Sequence, residues 1–97
     1  MALYVTLFQF TDQGMRNVKE SPKRLEANIK AATSMGIKIL GAYYTMGAYD
    51  VVTIAEIEDE QLATAFGLAS LAQGNVRATT MRALTPAEFA EIVQKMP

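Results

Sequence analysis

The chain has 97 residues, nine Lys and Arg against ten Asp and Glu for a formal charge of -1, and neither cysteine nor histidine. Its length is one domain's worth, residues 1–97, with a core small enough to leave stability modest. The lack of Cys excludes disulfides, thiolate nucleophiles and sulfur-bound metals and fits a reducing cytoplasm, and the lack of His excludes an imidazole base, a proximal haem ligand and the ordinary transition-metal sites, so no cofactor and no metal is expected.

The near-neutral charge gives no pull toward nucleic acid, and no apolar run approaches the ~20 residues that cross a bilayer, so neither nucleic acid nor a membrane is an expected partner. The opening MALYVTLFQF lacks the basic region of a signal peptide. Residues 2–10 set Leu3, Val5 and Leu7 against Tyr4, Thr6, Phe8 and Phe10, apolar on both sides, which predicts a central strand covered on both faces. TDQGMRNVKE is polar and broken by Gly14, a loop or a single helical turn. Ser21-Pro22 then supplies an N-cap and a first-turn proline for a helix reaching about Met35. Its apolar stripe is Leu25, Ile29, Ala32 and Met35, Glu26 faces Lys30, and Gly36 suits a left-handed terminator.

Residues 37–46 and 49–57 predict a hairpin closed by a two-residue type II′ turn at Gly47-Ala48. Without a bulge, Met46 opposes Tyr49, Thr45 opposes Asp50, Tyr43 opposes Val52 and Gly41 opposes Ile54. One face then carries Leu40, Ala42, Tyr44, Met46, Tyr49, Val51, Thr53 and Ala55, the other Ile39, Tyr43, Asp50, Val52, Ile54 and Glu56. A bulge at Gly41 would exchange part of this assignment. A second helix runs from an Asp59 cap to Gly74; it carries no charge from Leu62 to Ala72, which predicts burial on more than one side. Residues 75–84 form a fourth strand, with Val76, Ala78 and Thr80 on one face and Arg77, Thr79 and Met81 on the other. Thr85, Pro86 and Glu88 make a capping box for a last helix, whose Phe89, Ile92 and Val93 are expected to lie over the second helix.

This order predicts an α+β, ferredoxin-like βαββαβ fold with a four-stranded antiparallel sheet and an extra C-terminal helix. Right-handed crossovers place both helices on one side of the sheet. The other face is apolar and uncovered, so a second copy is expected to pack there, giving a homodimer or larger homo-oligomer.

The blocks TDQG, KESPKR, YTMGAYDVVTIAE and LAQGNVRATTMRA resemble, in order and over nearly the whole chain, those of the GYD domain family, named for the Gly and Tyr-Asp that here are Gly47, Tyr49 and Asp50. More distantly the chain is similar to the dimeric α+β barrels, whose paired sheets can enclose a small cavity. The resemblance implies a fold and a dimer rather than a reaction, and it adds Gly47, Tyr49 and Asp50 as positions of interest.

Asp50 at the mouth of a strand suits proton transfer, or a cationic or hydroxyl-bearing ligand; the simpler expectation is that it caps the hairpin by accepting hydrogen bonds from Thr45 or from backbone amides in the first-strand loop. Thr11 and Asp12 of TDQG would join it in one polar rim. Tyr49, Tyr43 and Tyr44 suit a pocket, or a core or interface. Glu56 lies ~20 Å along the strand from Asp50, too far for a catalytic pair. Arg77 and Arg82 take opposite faces, and Arg82 would hold an anion or form an edge ion pair. The basic residues between Arg16 and Lys30 interleave with Glu20 and Glu26 as a solvated face. Together these features predict a small cytoplasmic homo-oligomeric binding or regulatory domain, with a small-molecule cavity near Tyr49 and Asp50 lipped by Gly47, Thr45, Asp12 and Arg82. The alternatives are a cofactor-independent barrel enzyme (isomerase, lyase or oxygenase) using Asp50 as acid or base with Arg82 or Tyr49 holding a small organic substrate, and an assembly subunit without a ligand, joined through the uncharged helix.

Overall fold

A strand apolar on both faces belongs in the middle of a sheet, and the first strand lies there. A computed structural model describes residues 2–97. It contains β1 (Ala2–Phe10), α1 (Asp12–Arg16), a 3-10 turn (Val18–Glu20), α2 (Ser21–Ser34), β2 (Lys38–Tyr44), β3 (Val51–Ile57), α3 (Glu60–Ala72), β4 (Val76–Ala83) and α4 (Pro86–Gln94). The sheet order is β2-β3-β1-β4 with every pair antiparallel, the arrangement expected of a ferredoxin-like chain.

Register settles the faces. Tyr4 lies between Ala55 and Arg82, Thr6 between Thr53 and Thr80, and Phe8 between Val51 and Ala78. These rows face the helices, and the core is Ala32 of α2 with Ile37 and Ala55, joined by Ile39, Ile57, Ala63 and Phe66. The intervening rows, with Leu3, Val5 and Leu7 of β1 beside Val52 and Ile54 of β3 and Met81 of β4, form the opposite face, which no helix among the described residues covers.

The hairpin differs from expectation at both ends. Ile39 pairs with Ala55 and Gly41 with Ile54, so Leu40 is an extra residue in a bulge. The bulge moves Ile39 onto the helix-covered face, where it packs in the core, and leaves Leu40 47% exposed. Gly41 is where the strand recovers register, and the Tyr43 ring lies over it. At the other end β2 stops at Tyr44 and β3 begins at Val51, so the two-residue II′ turn is replaced by a longer loop. The Thr45 N–H donates to the Asp50 carbonyl at 2.9 Å, and the Thr45 hydroxyl to the Tyr49 carbonyl at 2.6 Å, which engages the acceptor that a Met46–Tyr49 pair needs.

The helices show how far local signals reach. α2 ends as expected, with Gly36 at φ +83°, its N–H on the Thr33 carbonyl and the Ile37 N–H on the Ala32 carbonyl, a Schellman closure. Its start does not use Ser21 as a cap: Glu20 occupies that position without a side-chain bond, and the buried Ser21 hydroxyl meets the Tyr44 phenol at 2.9 Å. α3 has its Asp59 cap, which accepts from the Leu62 N–H at 3.1 Å. It is covered on one side only, has no fully buried residue, and leaves Leu68 63% exposed. α4 has its capping box, but does not pack over α3; Phe89, Ile92 and Val93 are 57, 46 and 46% exposed. An all-apolar or amphipathic pattern states what a helix can bury, and here this chain provides too little surface to bury it.

Candidate functional site

Asp50 follows the loop and precedes β3, at the end of the ladder between β1 and β3. Its N–H donates to the Phe8 carbonyl at 2.8 Å, and its Oδ2 accepts the Phe10 N–H at 2.8 Å. The carboxylate therefore stands in for a strand carbonyl where β3 has run out, and the Gln9 amide fastens the loop tip by donating to the Ala48 carbonyl at 2.9 Å. Tyr49 is half-buried beside it, while Met46 is fully exposed. Gly47 has φ +148° with open space where a Cβ would stand, so backbone conformation and not crowding favours glycine there.

Thr11 follows Phe10, whose N–H the carboxylate holds, but its own bonds run elsewhere, and Arg82 lies apart from this corner. TDQG is clasped to the α3–β4 loop: the Thr11 hydroxyl caps α1 by accepting from Gly14 N–H at 3.0 Å and donates to the Gly74 carbonyl at 2.6 Å, and the Thr11 N–H donates to the Asn75 carbonyl at 3.1 Å. The Gln13 amide reaches the Gln73 carbonyl at 2.8 Å and Asn75 Oδ1 at 3.1 Å. Asp12 is exposed in the first turn of α1. Arg82 pairs across from Tyr4, its guanidinium 5.8 Å from the centre of that ring, and it donates to the Leu3 carbonyl at 3.3 Å and to the Ala83 carbonyl. It also lies 3.8 Å from Glu88 at the start of α4. Asp50 meets β1 at Phe8 and Phe10, several residues of ~3.3 Å each from Tyr4, so Asp50 and Arg82 do not converge on one substrate.

Hollow space lies on the helix-covered side. A cavity of ≈ 400 Å³ separates α3 from the sheet, and an adjoining one of ≈ 140 Å³ extends toward α2 and the start of β4. Neither is lined by Asp50 or Tyr49. The larger is bordered by a pair that sequence reasoning missed: the Tyr4 phenol donates to Glu60 Oε1 at 2.7 Å, and this bond to the carboxylate raises the Tyr4 pKa. Among the described residues no three His, Cys, Asp or Glu are grouped to hold a metal ion, and no helix is long and apolar enough to cross a membrane.

Against known proteins, the sequence profile of the GYD domain matches residues 4–93. A Thermus thermophilus protein named "Glutamine synthetase and cystathionine beta-lyase binding protein" is 27% identical over 90 residues, covering 92% of this chain and 95% of that protein. Among solved structures, MtbAldR is similar with a TM-score of 0.64 at 10% identity over 87% of this chain; the chain spans only 53% of that protein. A Thermus thermophilus protein of known structure matches nearly end to end, with a TM-score of 0.53 at 20% identity over 88% of this chain and 95% of that one.

Proposed function

From the premise that the chain belongs to the GYD domain family, we propose that it is a homo-oligomeric binding domain, which buries its open sheet face against a second copy and uses its helical side to recognise another molecule. The observation that carries this is the face itself. Leu3, Val5 and Leu7 form its spine with Val52 and Ile54 beside them, and Tyr43 and Met81, on the outer strands, are 58 and 45% exposed. A contiguous apolar sheet is unusual on a soluble monomer, and covering it recovers roughly 25 cal/mol for each Å² removed from water. The named relative's binding of two enzymes supports docking onto an enzyme, with regulation as its consequence, as the form of binding. With no Cys in the sequence, a reducing cytoplasm is the compartment we assign.

In this proposal Asp50 is a structural residue. An acid–base role asks for a carboxylate facing a void, whereas Asp50 holds the Phe10 amide and borders neither cavity. The experiment is light scattering coupled to size exclusion. The wild-type chain should elute as a dimer or larger species, and Ile54→Lys, which puts an ammonium on the open face, should elute as a folded monomer. A monomeric wild type at high micromolar concentration would refute the proposal.

A further inference from the structure

The cavity beneath α3 is faced from both walls by small side chains set among larger ones. α3 turns Ala63, Gly67 and Ser70 toward the sheet, with Phe66 and Leu71 as its large inward residues. The middle of the opposing floor, between Tyr4 and Phe8, is a row of three threonines, Thr53, Thr6 and Thr80, side by side on β3, β1 and β4, with the Thr6 and Thr80 hydroxyls 3.2 Å apart. A well-filled core would set large aliphatic groups at these positions. The volume of ≈ 400 Å³ is in the range of sites that take small organic ligands, ~300–1,000 Å³.

Two features describe an occupant. Gly67 sits inside α3, where glycine weakens a helix, yet a Cβ there would meet nothing within 4 Å. Nothing in this chain needs the missing side chain, and its absence keeps the cavity roof open. At the rim, Glu60 Oε1 accepts the Tyr4 hydroxyl while Oε2 accepts no protein hydrogen bond among the described residues. Arg82, its guanidinium 5.8 Å from the centre of the Tyr4 ring, is paired with Glu88 instead. The cavity thus has apolar walls, a hydroxyl floor and one free anionic oxygen at its edge.

We infer that this cavity binds a small amphiphilic amine, its apolar body between α3 and the threonine row and its ammonium on the Glu60 carboxylate. The inference is independent of the open sheet face. It is tested by calorimetry on the full chain with n-octylamine, and with n-octanol and n-octanoate as probes of equal apolar length. Octylamine should bind saturably at one site per chain and at least about tenfold more tightly than octanol, the ratio that a single charged contact of ~1.4 kcal/mol confers, while octanoate should not bind. Glu60→Gln should erase the amine's advantage. Gly67→Leu should fill the roof and abolish binding of octylamine, while Gly67→Ala, which adds one methyl in open space, should stay folded and bind. Equal binding of all three probes to the wild type, no saturable binding of octylamine, or an unchanged amine preference in Glu60→Gln would overturn the inference. Scattering run in parallel keeps the tests separate, since a monomer that binds octylamine refutes only the oligomer, and an oligomer that does not refutes only this site.

Discussion

Replacing Asp50 separates a structural carboxylate from a chemical one. In Asp50→Ala the Phe10 N–H loses its partner at 2.8 Å, and the loop loses the group that fixes it to β1. Hydrogen bonds to charged groups contribute about 1.5–3 kcal/mol, and because Asp50 is half-buried, water will satisfy part of the lost bond, so a loss of about 1.5–2 kcal/mol is expected. For a domain of this length that is a fall in Tm of roughly 6–16 °C. Asp50→Asn keeps an acceptor oxygen in the same place and should lose under about 1 kcal/mol. The assay is urea unfolding at neutral pH, at one fixed protomer concentration because an oligomer's stability depends on it. Equal loss in the Asn and Ala variants, or an Ala variant within about 0.5 kcal/mol of wild type, would refute the assignment of Asp50 to the strand ladder.

Gly14→Ala should cost about 3 kcal/mol or more in the same assay, because the new Cβ would lie 1.9 Å from the Asn75 carbonyl oxygen, with backbone on both sides of the clash. Tyr44→Phe leaves the buried Ser21 hydroxyl without its phenol partner and should cost about 1–3 kcal/mol, whereas adding Ser21→Ala should recover much of that loss; additive losses would show that the two groups do not interact. The Thr85 amide bond to Glu88 lowers the Glu88 pKa, followed by the Thr85 side-chain bond. With the folded value depressed, its contribution to the α4 cap is present above the ordinary glutamate range and is lost as pH falls through the folded pKa. The protection factors of the α4 amides, which remove the pH dependence of intrinsic exchange, should therefore fall on acidification in the wild type and not in Glu88→Gln.

The parts of the fold set by neighbouring residues were readable from the sequence. Asp59, Thr85 with Glu88, and Gly36 each satisfy helix-end groups within a few positions, so their spacing alone locates the ends of α2, α3 and α4. The strand order followed from the succession of elements. What escaped depended on distant partners. Gly41 marks a bulge as an alternative, but that Leu40 is its extra residue depends on where Ile39 finds room in the core, and Ser21 is a plausible cap until Tyr44 arrives from another strand. Distant partners also decide the bonds near Asp50: Thr11, next to the Phe10 that Asp50 holds, bonds to Gly74 and Asn75, and Arg82 stands against Tyr4. Conversely, Thr6, Thr53 and Thr80 form a row only once β1 is known to lie between β3 and β4, a signal available from the strand order but visible only when the register is written out.

The central place of β1 has a consequence for how the domain is made. This strand precedes both of its neighbours in the chain, yet it is hydrogen-bonded to β3 from Ala2↔Ile57 to Phe8↔Val51, and to β4 from Leu3↔Ala83 to Phe10↔Val76. β1 therefore leaves the ribosome with two unpaired edges, and the second closes only after β4 has emerged. Such distant pairings slow folding and expose sticky strands while they wait. A nascent chain halted before Val76 would present β1 as an open edge bearing phenylalanine and leucine, a natural client for a chaperone, and emergence of β4 should be the event that closes the sheet and ends that exposure.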